Sequence, residues 1–66
     1  MGREALTGSR IRERRSMAKL KQAEMAKMVG ISASYLNLIE HNRRRIGGKL
    51  LLDIAEVLGV DAQLLT

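Results

Sequence analysis

The 66-residue chain has no cysteine, proline, tryptophan or phenylalanine, and a single tyrosine. Without cysteine no disulfide can staple the fold, and a secreted disulfide scaffold is excluded. One histidine without a cysteine partner cannot complete a structural zinc site. The missing proline and the scarcity of β-branched clusters argue against strands. No apolar run approaches the ~20 residues that span a bilayer, and residues 1–9 lack the apolar stretch of a secretory signal. A soluble, cytoplasmic protein is expected. A chain this short buries only about 60% of the surface its unfolded form exposes. It is therefore one small domain whose core comes from Leu, Ile, Val, Ala and Met, and a full enzyme with a buried pocket is not expected.

What the chain has is positive charge, unevenly placed. Twelve Lys and Arg face seven Asp and Glu, for a net charge of +5. All twelve cations lie in residues 1–49, with Glu4, Glu13, Glu24 and Glu40 among them; residues 50–66 carry only Asp53, Glu56 and Asp61. A basic N-terminal portion beside an acidic end points to one side that meets a polyanion.

The chain reads as helices separated by punctuation. Residues 1–6 look like a loose leader, and residues 7–66 form the domain. A first helix is expected over about Thr7 to Ala18, with Ile11 and Ala18 on one face and Arg15 between them. A second runs from about Lys21 to Val29, burying Met25, Ala26 and Val29, and Gly30 ends it. Ser32 can cap a third helix from Ala33 to His41, whose core positions are Leu36 and Ile39. Residues 42–48 form a basic loop. A fourth helix covers about Lys49 to Leu58, burying Leu51, Ile54, Ala55 and Leu58. Gly59 ends it, and Asp61 caps a last short turn with Leu64 and Leu65.

The segment from Gln22 to Ile39 carries the functional signal. Counting Gln22 as position one, alanine falls at five (Ala26), glycine at nine (Gly30), and apolar residues at fifteen (Leu36) and eighteen (Ile39). Two helices crossing at about 90–120° need a small residue at their contact and a glycine to reverse the chain. The two later apolar residues then seat the second helix on the first. That spacing is a helix-turn-helix.

The run Arg10-Ile11-Arg12, Leu20 to Ala26, Val29 to Ser32, Tyr35-Leu36 and Ile39-Glu40 resembles the lambda-repressor/Cro type of helix-turn-helix, the xenobiotic-response-element family. The resemblance continues through Ile54-Ala55 and Leu58-Gly59-Val60 to Leu64-Leu65, and so covers about residues 8–65. More narrowly, Ser34 to Leu51 is similar to the N-terminal domain of bacterial short-chain acyl-CoA-responsive transcriptional regulators. The resemblance implies an all-α, five-helix bundle that binds double-stranded DNA, its third helix in the major groove. It also implies a homodimer on an inverted repeat, with a C-terminal effector-binding region outside this chain. No cofactor is implied.

Carried over by position, the base-facing residues are Ala33, Ser34, Asn37 and Leu38. Asn37 can read adenine by paired donor and acceptor, Ser34 can bond several bases, and Leu38 can pack on a thymine methyl. A leucine on the solvent side of a short helix wants a partner, although scattered surface leucines are common. Phosphate contacts are implied for Lys21, Gln22, Ser32 and Tyr35, where the start of a helix favours an anion. They are implied also for His41 and Asn42 and for the run Arg43-Arg44-Arg45, with one arginine able to enter the minor groove. The plainer readings are an N-terminal cap for Gln22, a C-cap for His41 and a solvated loop for the arginines. Arg15 and Glu40 sit on otherwise apolar faces, and the resemblance implies a largely buried ion pair between helices one and three. Lys21 and Lys19 depart from the family's usual Ser or Thr cap and glycine. Val60, Leu64 and Leu65 are the expected dimer interface.

Other readings are weaker. There is no Ser/His/Asp or Cys/His set, and Gly47-Gly48 lacks the phosphate-loop surroundings, so the chain is read as a non-enzyme. His41 has no metal-ligating partner, and Met17, Met25 and Met28 read as helix packing rather than a metal site. Residues 8–21 as a membrane-surface helix would have too thin an apolar face in Ile11, Met17 and Leu20. Single-stranded RNA readers want stacking aromatics, and only Tyr35 is present. The main alternative is an antitoxin or other protein-interaction module on the same fold.

Overall fold

The computed structural model describes the backbone of residues 4–66 and the side chains of residues 7–66. Its elements are α1 (Glu4–Met17), α2 (Gln22–Val29), α3 (Ala33–Glu40), α4 (Gly48–Leu58) and a closing 3₁₀ turn, η1 (Ala62–Leu65). The expected fifth helix is thus a single 3₁₀ turn. The first helix starts at Glu4 rather than Thr7, and the remainder of the expected leader, residues 1–3, lies outside the described residues.

All four helices end in the same way. A residue just past the last helical turn is left-handed: Lys19 at φ 59°, Gly30 at 77°, Asn42 at 61° and Gly59 at 69°. The next amide then reaches back to a carbonyl five residues earlier: Leu20 to Arg15 at 3.2 Å, Ile31 to Ala26 at 2.9 Å, Arg43 to Leu38 at 2.8 Å and Val60 to Ala55 at 3.0 Å. This six-to-one bond, with its five-to-two companion, satisfies carbonyls that would otherwise be orphaned. Glycine takes this backbone freely, asparagine tolerates it, and lysine does so at a cost. Lys19 therefore holds strain at the exit of α1.

The starts of α2, α3 and η1 use side chains. Ser32 accepts the Tyr35 amide at 3.0 Å, and Asp61 accepts the Gln63 amide at 2.9 Å. Lys21 has no acceptor to offer, but Glu24 reaches back and accepts its amide at 2.9 Å. Half of a capping box thus replaces the missing Ser or Thr.

The core gathers one or two residues from each element: Ile11, Met25, Ala26, Leu36, Ile39, Ile54, Ala55 and Leu65. α3 leans on α1 and α2, α4 packs on α2, and η1 fills the space between α1 and α4. Val29, Leu51 and Leu58 are half-buried against this cluster. Two expectations change. Ala18 lies beyond the end of α1 and is exposed rather than sharing the face of Ile11. Leu65 is fully buried, so it completes the core and cannot present itself to a second copy of the chain.

Candidate nucleic-acid interface

The outer side of α3 is built by helical spacing. Ser34, Asn37 and His41 fall at i, i+3 and i+7, and all three are exposed. Leu36, Ile39 and Glu40 occupy the opposite, buried side. Ala33 is half-buried against the core, and Leu38 is half-buried without joining the core cluster. Leu38 is therefore less exposed than its sequence position suggests, yet the core does not account for it.

The buried side of α3 is fixed to α1 by charge. The Arg15 Nε donates to Glu40 Oε2 at 2.7 Å, and its Nη2 donates to Oε1 at 2.9 Å. The remaining Nη1 donates to the Leu20 carbonyl at 2.9 Å, tying the pair to the turn before α2. The two side chains are 15% and 1% exposed. The fork of a guanidinium matches a carboxylate in this two-bond geometry. The carboxylate raises the Arg15 pKa, first by hydrogen bonding and then by its charge, against the opposing effect of burial. No buried side-chain nitrogen or oxygen among the described residues lacks a partner.

Gln22 extends this network outward. Its Nε2 donates to Glu40 Oε1 at 3.2 Å and to Asn37 Oδ1 at 3.3 Å. Gln22 is the first residue of α2, after the cap position at Lys21, and its side chain turns toward α3. In the free chain its amide group thus faces Glu40 and Asn37. The backbone amide at this helix start remains suited to an anion.

The far end of α3 is fixed by a second polar contact. Asn42 Oδ1 accepts the Gly8 amide at 3.0 Å, and its Nδ2 donates to Ser9 Oγ at 3.2 Å. In the free chain the Asn42 side chain is thus tied to α1. Gly8 allows that approach: a Cβ there would run into the Ile39 carbonyl oxygen and sit 2.6 Å from Asn42 Oδ1. The sequence reading missed Gly8. Its one signal is a glycine inside a helical stretch, which costs about 1 kcal/mol against alanine and so asks for a packing reason.

His41 closes the helix as its C-cap, with Nδ1 at 2.8 Å from the Asn37 carbonyl. A carbonyl only accepts, so Nδ1 carries the hydrogen. Arg43, Arg44 and Arg45 follow on an exposed loop whose far side is held by Ile46, packed against the core. With Gly8, Ile39, Asn42 and Leu51 they border an open cleft beside α3. Lys21 and Ser32 are exposed at the starts of α2 and α3, and Tyr35 is half-buried against the core. Among the described residues no cluster of acids and histidine could hold a metal, and no helix is long and apolar enough to cross a membrane.

The arrangement recurs in known proteins. The helix-turn-helix family of Cro/C1 type matches residues 11–65. The HTH-type transcriptional regulator RamB of Mycobacterium tuberculosis is 51% identical over 55 residues, which is 83% of this chain and 12% of RamB. A propionyl-CoA carboxylase regulator of Cereibacter sphaeroides is 35% identical over the whole chain, which is 14% of that protein. The chain thus spans about an eighth of the length of these curated relatives. Among solved structures, the P22 c2 repressor in complex with a synthetic operator superposes with a TM-score of 0.84 at 35% identity, covering 91% of each chain. These relatives are regulators of transcription, not enzymes. On that match, and on the helix pair from Gln22 to Glu40, the chain belongs to the Cro/C1-type helix-turn-helix family of DNA-binding regulators.

Proposed function

We propose that the chain is a sequence-specific reader of double-stranded DNA, with α3 in the major groove and the arginine loop on the flanking phosphates. The observation that carries this reading is the two-sided build of α3. Its inner side is locked to α1 by a buried ion pair, while its outer side offers Ser34 and Asn37 to whatever approaches. An outward-facing short helix, rigidly held and flanked by cations, has the shape and charge that a major groove accepts. Ser34 and Asn37 read bases, and Leu38 and Ala33 supply apolar contact to a thymine methyl. Lys21, Ser32, Tyr35, the arginine run and His41 position the helix on phosphates.

A dimer on an inverted repeat, with half-sites about one helical turn apart, fits this geometry. Leu64, 47% exposed, and half-buried Val60 remain as its contact surface once Leu65 is assigned to the core. Gene regulation in the cytoplasm, with an effector such as a short-chain acyl-CoA bound by a further region, is the corresponding role for the whole protein. The test is salt dependence. Affinity for an operator duplex should fall with a slope of about −0.9 per phosphate neutralised. Arg44→Ala should lower that slope by about one and weaken all sequences alike, whereas Asn37→Ala should lose discrimination at one base pair. The reverse pattern would mean that the loop reads bases and the helix does not.

A further inference from the structure

Asn42 does two things where α3 ends. Its backbone is left-handed, at φ 61°, and its backbone amide reaches back to the Ile39 carbonyl at 3.0 Å. Its side chain meanwhile spans the gap to α1, accepting the Gly8 amide through Oδ1 and donating to Ser9 Oγ through Nδ2. A backbone N–H can only donate, so the direction of the Asn42 side-chain amide is set. Glycine would take the left-handed backbone more freely, but it has nothing to reach α1 with. Aspartate would accept from Gly8 but could not donate to Ser9. Of the three residue types that enter this backbone most readily, only asparagine makes both bonds.

The arginine run starts at the next residue. The Arg43 amide bonds the Leu38 carbonyl at 2.8 Å. The exit of the chain is thus held from α3 by backbone and from α1 by the Asn42 side chain. Ile46 then packs against the core, so Arg43 and Arg44 stand exposed between two fixed points. We infer that Asn42 is a positioning residue for phosphate contact: tied to Gly8 and Ser9, it fixes where Arg43 and Arg44 leave α3, and it acts through α1 rather than on the phosphate itself. This rests on the DNA-reading role proposed above and gives the start of α1 a part in it. A loop of cations loses freedom when it meets phosphates, and a loop with a fixed exit has less to lose.

The experiment measures affinity for a mixed-sequence DNA duplex across a salt series. It uses the full chain as wild type, Asn42→Gly, Ser9→Ala, the double variant and Ser9→Thr, each first checked by thermal unfolding. Asn42→Gly should keep a midpoint close to wild type, because glycine suits the left-handed backbone. It should bind about three- to tenfold more weakly, the ordering cost of one or two long side chains, with a shallower dependence on salt. Ser9→Ala should weaken binding by about twofold or more, and the double variant should be no weaker than Asn42→Gly alone. Ser9→Thr, which keeps the hydroxyl, should bind as wild type. If Ser9→Ala binds as wild type while Asn42→Gly is weak, Asn42 meets the phosphate directly and the inference fails. Losses that add in full in the double variant overturn it too, as does an Asn42→Gly that binds as wild type. Backbone amide relaxation of the free protein reads the loop without DNA. Residues 43–45 should become more mobile in Asn42→Gly and Ser9→Ala, and unchanged mobility overturns the tie. A wild type that binds this duplex but selects no sequence from a random library overturns base reading alone, and one that binds no duplex overturns both.

Discussion

The two sides of α1 are held by different physics. Toward α3 the contact is polar and close: Arg15 on Glu40, Gly8 under the Ile39 carbonyl, and Asn42 on the Gly8 amide. Toward α4 and η1 it is apolar, with Ile11, Ile54, Ala55 and Leu65 in one cluster. Apolar packing is non-directional and tolerates small rearrangement. A two-pronged ion pair and a helix approach that admits no Cβ do not. The apolar side makes the domain stable, and the polar side fixes where the outer residues of α3 stand. On the proposed reading, in which α3 places a few side chains in a groove, the second contact is the functional one.

The largest way to break this division is Glu40→Ala. It leaves the Arg15 guanidinium without its carboxylate and should cost about 3–5 kcal/mol, a large share of the ~3–10 kcal/mol available to a chain this size. Urea unfolding should show the loss as a lowered midpoint, and an unchanged midpoint would remove the pair from the account. Replacing both partners by apolar residues, Arg15→Met with Glu40→Leu, should recover most of that stability without recovering base selectivity. The pH dependence of the pair follows from its sign. A raised guanidinium pKa contributes in full below the ordinary arginine value and is lost only as pH climbs through the raised one. The stability gap between wild type and the apolar double variant should therefore not narrow through Arg15 titration between about pH 7 and 10.

Gly8→Ala comes next. The added methyl must push α1 away from a backbone carbonyl, a strain of about 1–3 kcal/mol, and operator affinity should fall with it because the end of α3 moves. Ile54→Val probes the other side. It should cost about 0.5–1.5 kcal/mol by thermal unfolding, with the pattern of selected bases unchanged. A shift in base preference there would blur the division between the two sides. The smallest effect is a gain: Lys19→Gly relieves the left-handed backbone at the end of α1 and should raise stability by about 0.5–1 kcal/mol.

Much of this was legible in the sequence because it is local or periodic. Gly30 and Gly59 stop their helices, Ser32 and Asp61 start theirs, and Leu36 with Ile39 marks the inner side of α3. Arg15 and Glu40 stood out as charges on apolar faces. What was not legible depends on contacts across the fold. Gly8 and Asn42 are 34 residues apart, and only the packed helices show why one must be glycine and the other must bend back to it. Gln22 reads as a cap or a phosphate ligand until Glu40 is seen beside it. Leu64 and Leu65 look alike in the sequence, and the tightness of the 3₁₀ turn sends one to the core and the other toward solvent.

Selection from a random duplex library at two salt concentrations tests the central claim most directly. An operator reader with α3 in the groove should enrich an inverted repeat with half-sites about ten base pairs apart, and the enrichment should survive at the higher salt. Binding that enriches no sequence and vanishes at the higher salt would contradict it, leaving a basic domain that meets DNA through charge alone.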